Sequence, residues 1–263
     1  MTGRLEEDNV KRVGFLGCGK IGKHMLNDLL ENGIHKVTFV QDPFFEAQKA
    51  QYKAQYIVTE KAGKDLLEET DIVIECAMAD VLKKNFDDII KYCDLMVFSV
   101  TAFADEVFYQ HAKEMAVQYK KSIYLPHGAI LGVDGIADGR KIIKNVTVET
   151  IKSPSSLGLA TDSYEVVYEG PTREACRRFP RNVNVHATIA LAGIGFDRTQ
   201  SKIIADPSVK TNSHIVHVEG DGMDFEIHIS SEANGAVTGK YTPYSAVSSM
   251  HKVLGEYSEF RYI

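Results

Sequence analysis

Gly17, Gly19 and Gly22 follow directly on the apolar run Val10–Leu16. They open a segment with Ile21, Met25, Leu26, Leu29 and Leu30 at helical spacing. A strand that turns on glycines into a helix presents unpaired backbone N–H groups to a phosphate. The first glycine permits the tight turn, the second lets the backbone approach a pyrophosphate, and the third lets the helix pack closely on the strand. Gly17, Gly19, Lys20, Ile21 and Gly22 are therefore candidate contacts to a dinucleotide. Asp42 ends a second apolar run, Val37–Asp42, where a carboxylate can accept from the adenosine ribose hydroxyls. That carboxylate opposes a 2′-phosphate, and Pro43-Phe44-Phe45 supplies no arginine to receive one, so NAD is expected ahead of NADP, which stays possible.

Such a cradle needs a sheet behind it. Helical patterns around Phe45–Lys53, Lys61–Glu69, Val81–Tyr92 and Glu106–Tyr119 alternate with strand-like runs at Tyr56–Val58, Asp71–Glu75, Leu95–Val100 and Ser122–Leu125. This alternation predicts an α/β chain with an N-terminal Rossmann-type, doubly wound parallel sheet. Ligands of such sheets sit beyond the strands' carboxyl ends, which adds Cys76 and Ala77 to the cofactor candidates and places Val100–Ala102 nearby.

Past Pro126 the pattern changes. Asn145–Ile151, Tyr164–Tyr168, Gln200–Ile204, Ser213–Glu219 and Asp224–Ser230 read as strands, with helices around Thr172–Phe179 and Val183–Ala192. A second α+β domain on a largely antiparallel sheet is expected. The boundaries are 1–126 for the dinucleotide-binding domain and 127–242 for a catalytic and dimerisation domain, with 243–263 packing back on the first.

The composition suits a cytoplasmic enzyme. The chain has 263 residues, 44% of them hydrophobic, enough to fill such cores. A net charge of −6 argues against nucleic-acid or membrane partners, and no apolar run is long enough to span a bilayer. Cys18, Cys76, Cys93 and Cys176 are widely spaced, as reduced thiols rather than disulfides or a zinc site would be.

Three later segments are similar to motifs of one known family. Leu125-Pro-His-Gly-Ala-Ile130 with Val133-Asp134 is similar to the family's P-S-G-A-I…L-D stretch. Phe179-Pro-Arg-Asn-Val-Asn-Val185, followed by Ala187-Thr188 and Ala190–Gly193, is similar to its F-P-x-N-x-N-V-A-A-T…A-L-A-G segment. Ile204-Ala-Asp-Pro207 with Asn212-Ser-His214 is similar to its A-D-P…N-x-H motif. The resemblance is to the aspartate dehydrogenase family, and it covers nearly the whole chain. It implies an NAD(P)-dependent amino acid dehydrogenase that deaminates L-aspartate to oxaloacetate and ammonia through an imino acid, or runs in reverse. It also implies a homodimer, His214 as the catalytic residue, and Ala129 and Asn184 as contacts to the nicotinamide end of the cofactor. A histidine in that place moves protons near neutral pH, activating the water that attacks the imine. Enzymes on the same two-domain plan, resembling dihydrodipicolinate reductase or homoserine dehydrogenase, and an NAD(H) sensor are the alternatives.

The departures bear on the substrate. His127 stands where the family has serine and His186 where it has alanine, and Asn234–Tyr241 replaces the N-P-K-T-S pattern. Acidic substrates need polar or cationic partners, so His127, Lys152, His186 and Lys240 are the substrate-binding candidates. A metal site is not expected, because His214 and His217 are three apart in a strand and face opposite sides. His24, His35, His111 and His251 read as surface or helix residues.

Overall fold

The computed structural model describes residues 10–44, 56–233 and 236–256, so the helix expected at Phe45–Lys53 lies outside the described residues. Strands β1 (Arg12–Leu16), β2 (Lys36–Gln41), β3 (Ile57–Thr59), β4 (Ile72–Glu75), β5 (Asp94–Val97) and β6 (Ile123–Tyr124) form a parallel sheet in the order β3-β2-β1-β4-β5-β6. Its helices are α1 (Lys20–Asn32), α2 (Lys64–Glu68), α3 (Ala79–Ile90) and α4 (Glu106–Tyr119). The strand order reverses between β1 and β4, and at such a switch point the carboxyl ends of the strands open a crevice. Strand β4 is buried along its whole length, as a strand covered on both faces must be.

Expected as strand through Val100, the chain instead leaves the sheet at Val97 and enters a 3-10 turn at Val100–Ala104. Glu75, at the end of β4 and fully buried, explains the departure. Its carboxylate accepts from the amides of Ala77 (2.8 Å), Phe98 (3.2 Å) and Ser99 (2.9 Å) and from the Ser99 hydroxyl (2.8 Å). The Ser99 amide, which could have continued the ladder, is thereby committed to a side chain, and the Phe98 amide is shared between that side chain and the Glu75 carbonyl (3.2 Å). Burial raises the Glu75 carboxyl above its ordinary range, while these four donors favour the charged form.

The chain divides into two compact units. One comprises the described residues up to Ser99, Val107–Pro126 and the described residues from Ala246 onward; the other comprises Val100–Glu106 and the described residues of His127–Ser245. The 3-10 turn thus groups with the second unit, although its sequence lies within the span 1–126. In the first unit, Ala246, Met250 and Leu254 of helix α9 (Tyr241–Val253) and its last turn join Val13, Phe15, Met25, Leu26, Val40 and Ile74 in one core. His35, read from sequence as a surface residue, is only 6% exposed. Its Nδ1 accepts from the Lys11 amide (3.0 Å), and Glu256 stands 3.0 Å from Nε2.

The second unit holds β7 (Ile143–Lys152), β8 (Glu165–Pro171), β9 (Gln200–Ala205), β10 (Thr211–Gly220) and β11 (Met223–Glu232) in the order β11-β10-β7-β9-β8. Only the β7–β9 pairing is parallel. Helices α5 (Val133–Gly139), α6 (Pro154–Leu157), α7 (Thr172–Arg178) and α8 (Asn184–Ala192) complete it. The sequence reading missed α5, whose two glycines lower its helix propensity, and the single turn α6, although Ser153 caps it and Pro154 starts it. Alternation along β7 and β10 sends Val146, Val148, Val216 and Val218 to one face, where they pack with Ile136, Val185 and Ile189. The opposite face is polar and carries Lys202 with Glu149 (3.4 Å) and His217 with Glu226 (2.9 Å).

Met250 is fully buried, so the return of α9 can be tested directly. Met250→Ala is expected to cost about 2–5 kcal/mol. A urea midpoint lowered by less than about 1 kcal/mol equivalent would mean that α9 contributes no core.

Candidate functional site

The glycine turn in the first unit is held from both sides. The Gly17 amide donates to the Gln41 carbonyl (2.9 Å), and the Cys76 amide donates to the Leu16 carbonyl (2.8 Å). Gly17 has φ +81°, and a Cβ there would stand 2.7 Å from the Ala77 Cβ, so the position requires glycine. A Cβ on Gly19 would meet nothing within 4 Å, leaving open space at the N-terminus of α1. Gly19 caps that helix without any side-chain hydrogen bond, and the first-turn amides have no intrahelical acceptors. Gly19 and Lys20 are exposed, Ile21 is half-buried and Gly22 lies against the Gly17 carbonyl. These residues fit a pyrophosphate.

Asp42 has a second task that the sequence did not reveal. Its Oδ2 accepts from the Cys18 amide of the turn (2.7 Å) and its Oδ1 from the Phe44 amide (2.8 Å). Each oxygen keeps a lone pair for a ribose hydroxyl. Cys76 and Ala77 lie half-buried beyond β4, where Glu75 holds the Ala77 amide.

A different chemistry is assembled in the second unit. In β10, Asn212 and His214 share the buried face with Val216, while His217 points the other way to Glu226. Thr150 pairs with His214 across the β7–β10 register, and Lys152 follows it on the same face of β7. His214 Nδ1 lies 2.8 Å from Thr150 Oγ1, which lies 2.6 Å from His186 Nε2. His186 Nδ1 lies 2.8 Å from Ser201 Oγ, and that hydroxyl lies 2.7 Å from Thr172 Oγ1. All five residues are buried. Among the described residues His214 Nε2 has no hydrogen-bond partner.

Lys152 is 3% exposed and faces no carboxylate among the described residues. Its ammonium donates to the Val237 carbonyl (3.3 Å) and to Asn182 Oδ1 (3.5 Å). Burial pulls it down to about 8. Asn212 Nδ2 donates to the Ala236 and Val237 carbonyls (3.2 and 2.9 Å), while its buried Oδ1 has no partner. A buried cation without a counter-charge beside an unmet polar atom is costly, and an anionic ligand relieves the cost.

Burial, reinforced by the Lys152 charge, pushes His214 down to about 3, and His186 is held well below the imidazole range by burial, His214 and Lys152. Both rings are therefore neutral at neutral pH. This corrects the expectation that His214 ionises in histidine's usual range: the group of this cluster that titrates near neutrality is Lys152.

The other candidates are dispersed. His186, expected to touch substrate, is 0% exposed with both ring nitrogens engaged, so it has no atom to offer one. Lys240 is exposed and paired with Glu232 (2.7 Å), outside the buried cluster. Half-buried His127 has Nδ1 against the Ile130 carbonyl (2.8 Å), which leaves Nε2 available. Asn184 Oδ1 accepts from the Thr101 amide (3.2 Å), and half-buried Ala129 packs against the core of the second unit. Thr150, Ser201, Thr172, Asn182 and Asn212 escaped selection; for Asn212, the period-two spacing to His214 was the available signal.

Residues 134–253 match the family model described as aspartate dehydrogenase, C-terminal, and residues 17–126 match that of the homoserine dehydrogenase NAD binding domain. The L-aspartate dehydrogenase of Methanosarcina acetivorans is 31% identical over 262 residues, covering 92% of this chain and 97% of that protein. The chain belongs to the aspartate dehydrogenase family. The L-aspartate dehydrogenase of Nitrosopumilus maritimus is 32% identical over 92% of this chain and 96% of its own. The crystal structure of aspartate dehydrogenase from Thermotoga maritima superposes with a TM-score of 0.76 at 29% identity, covering 96% of this chain and 99% of that one. A homoserine dehydrogenase from Thiobacillus denitrificans, at 13% identity and a TM-score of 0.58, shares the fold alone.

Within this aspartate dehydrogenase family member, Lys152 gives a measurable signature. With labelled lysine, its NMR titration is expected to centre on about 8, against an ordinary 10.5, and to move upward on adding a small dicarboxylate such as malonate. A midpoint near the ordinary value would mean that water or a carboxylate reaches the ammonium.

Proposed function

We propose that this protein is an NAD-dependent L-aspartate dehydrogenase, converting L-aspartate to oxaloacetate and ammonia through an imino acid, or running in reverse. The observation that carries the substrate reading is Lys152, a buried ammonium with no carboxylate partner among the described residues, on the same sheet face as His214 and Asn212. Family membership supports the reaction class, since the curated relatives are named L-aspartate dehydrogenases. Bound NAD supplies the hydride acceptor. Gly17, Gly19, Lys20, Ile21 and Gly22 hold its pyrophosphate, Asp42 its adenosine ribose, with Cys76, Ala77, Ala129 and Asn184 as further contacts; NADP remains a second cofactor to test.

In the second unit the chain's own groups divide the work. Lys152, charged below about pH 8, receives a substrate carboxylate. His214 offers Nε2 to the nitrogen or oxygen on the reacting carbon, and the buried setting excludes bulk water from that exchange. His127, through its available Nε2, is a further contact for an acidic group. The reading extends to a homodimer working in the cytoplasm, which light scattering and fractionation test.

A panel of amino acids with NAD, and of oxo acids with ammonia and NADH, tests the whole proposal by absorbance; aspartate and oxaloacetate should stand out. Lys152→Met should raise the KM for aspartate about 10–100-fold, the value of a hydrogen bond to a charged group. In the wild type, kcat/KM should fall above about pH 8 as the lysine loses its proton, and this limb should vanish in the variant. His214→Ala should lower kcat on the order of 10²–10³-fold, the contribution of a positioned hydrogen-bond donor, with NADH affinity intact.

Asp42→Ala should weaken NAD binding and narrow the preference over NADP. Because the Cys18 amide also loses its acceptor, both nucleotides should weaken somewhat. An unchanged affinity ratio by calorimetry would refute the ribose contact.

A further inference from the structure

The chain Thr172–Ser201–His186–Thr150–His214 contains three hydroxyls and two imidazoles, all buried, joined by four contacts of 2.7, 2.8, 2.6 and 2.8 Å. We propose that this chain locks His214 in the tautomer that carries its proton on Nε2, so that His214 meets the substrate as a hydrogen-bond donor, with Thr150 and His186 as its positioning residues. The substrate half of that statement rests on the dehydrogenase reading above; the tautomer half does not.

The protons along the chain fix its direction. A hydroxyl carries one donor proton, and a neutral imidazole carries one N–H and one lone pair. From Thr172, every proton finds an acceptor within the chain: the Thr172 hydroxyl donates to Ser201, and Ser201 to His186 Nδ1. His186 Nε2–H then donates to Thr150, and Thr150 to His214 Nδ1. The only N–H left over is the one on His214 Nε2, the atom without a partner among the described residues. Run in the opposite direction, the chain ends on the Thr172 hydroxyl, which is 0% exposed and has no second partner among the described residues, so a buried donor is orphaned. If both rings donate to Thr150 instead, its own proton is orphaned, and Thr150 is also 0% exposed. Only the first arrangement leaves no fully enclosed donor unmet, because His214 Nε2 is not among the fully enclosed unpartnered atoms of the described residues and its N–H is open to a ligand.

A neutral imidazole with Nε2–H polarises a substrate oxygen, such as the carbonyl of an oxo acid or the hydroxyl of the hydrated imine. It does not take a proton from water, because its single lone pair is committed to Thr150. His186 acts at one remove: its Nε2–H compels Thr150 to turn its own proton toward His214.

Nitrogen NMR on protein labelled at histidine reads the tautomers without turnover, with His214 assigned from the signals lost in His214→Ala. In the wild type, Nε2 of His214 should show the protonated shift and Nδ1 the unprotonated one. Thr150→Val, close in shape but without the hydroxyl, should leave His214 in a mixture of tautomers and lower kcat about tenfold, with NADH affinity unchanged. Thr150→Ser keeps the hydroxyl and should restore both; a packing role predicts the reverse order, with valine the better replacement. Ser201→Asp, an acceptor only, should draw the His186 proton to Nδ1 and turn His214 to the Nδ1–H form. A protonated Nδ1 on wild-type His214, or Thr150→Val with unaltered His214 signals and kcat, overturns the proposal. Wild-type protein that shows the expected tautomers yet oxidises no amino acid leaves the relay standing and removes the dehydrogenase reading.

Discussion

Buried polar groups must find partners, and in the second unit the register of β10 on β7 decides which groups are buried together. Because His214 lies opposite Thr150, the alternation that sends Val146, Val148, Val216 and Val218 into an apolar core also carries Thr150, Lys152, Asn212 and His214 inward. One face thus passes from aliphatic to polar along its length. A slip of β7 by one residue would turn Thr150 and Lys152 outward, bury Glu149 and Ile151 in their place, and part them from Asn212 and His214. Sheet pairing and site chemistry are therefore a single constraint.

The same accounting governs the first unit on a smaller scale. Glu75 gathers four donors from the ends of β4 and β5, and Asp42 gathers two at the end of β2. In each case a carboxylate at a strand's carboxyl end fixes neighbouring backbone amides. The cradle around Gly17–Gly22 is shaped as much by these two acids as by its glycines.

The glycine turn was legible in the sequence because its chemistry is local: strand, turn and helix are contiguous, and each glycine answers to a neighbour in the motif. The parallel sheet was legible from the alternation of elements, and the second sheet from period-two runs. What failed has a common cause. His186 stood out as an oddity, but a sequence does not show that both of its ring nitrogens are taken by Thr150 and Ser201, residues contributed by two other elements. His214 looked like a neutral-pH acid or base because its burial beside Lys152 was invisible. The early end of β5 turned on Glu75, which in sequence is only the last residue of a strand. Each of these three concerns surroundings distant along the chain, for which hydrophobic periodicity carries no signal, whereas α5 was hidden by its own glycines.

Helix α9 carries a consequence for how the chain is made. Its Ala246 and Met250, with Leu254 just beyond it, complete a core whose other members come mainly from β1, α1, β2, β4 and β5, and the whole second sheet is synthesised in between. On the ribosome, the glycine cradle and its sheet emerge first but keep an open apolar seam until the second unit has been translated. The first unit is thus a late finisher despite its early start, and its exposed seam is the surface that a nascent-chain chaperone would meet.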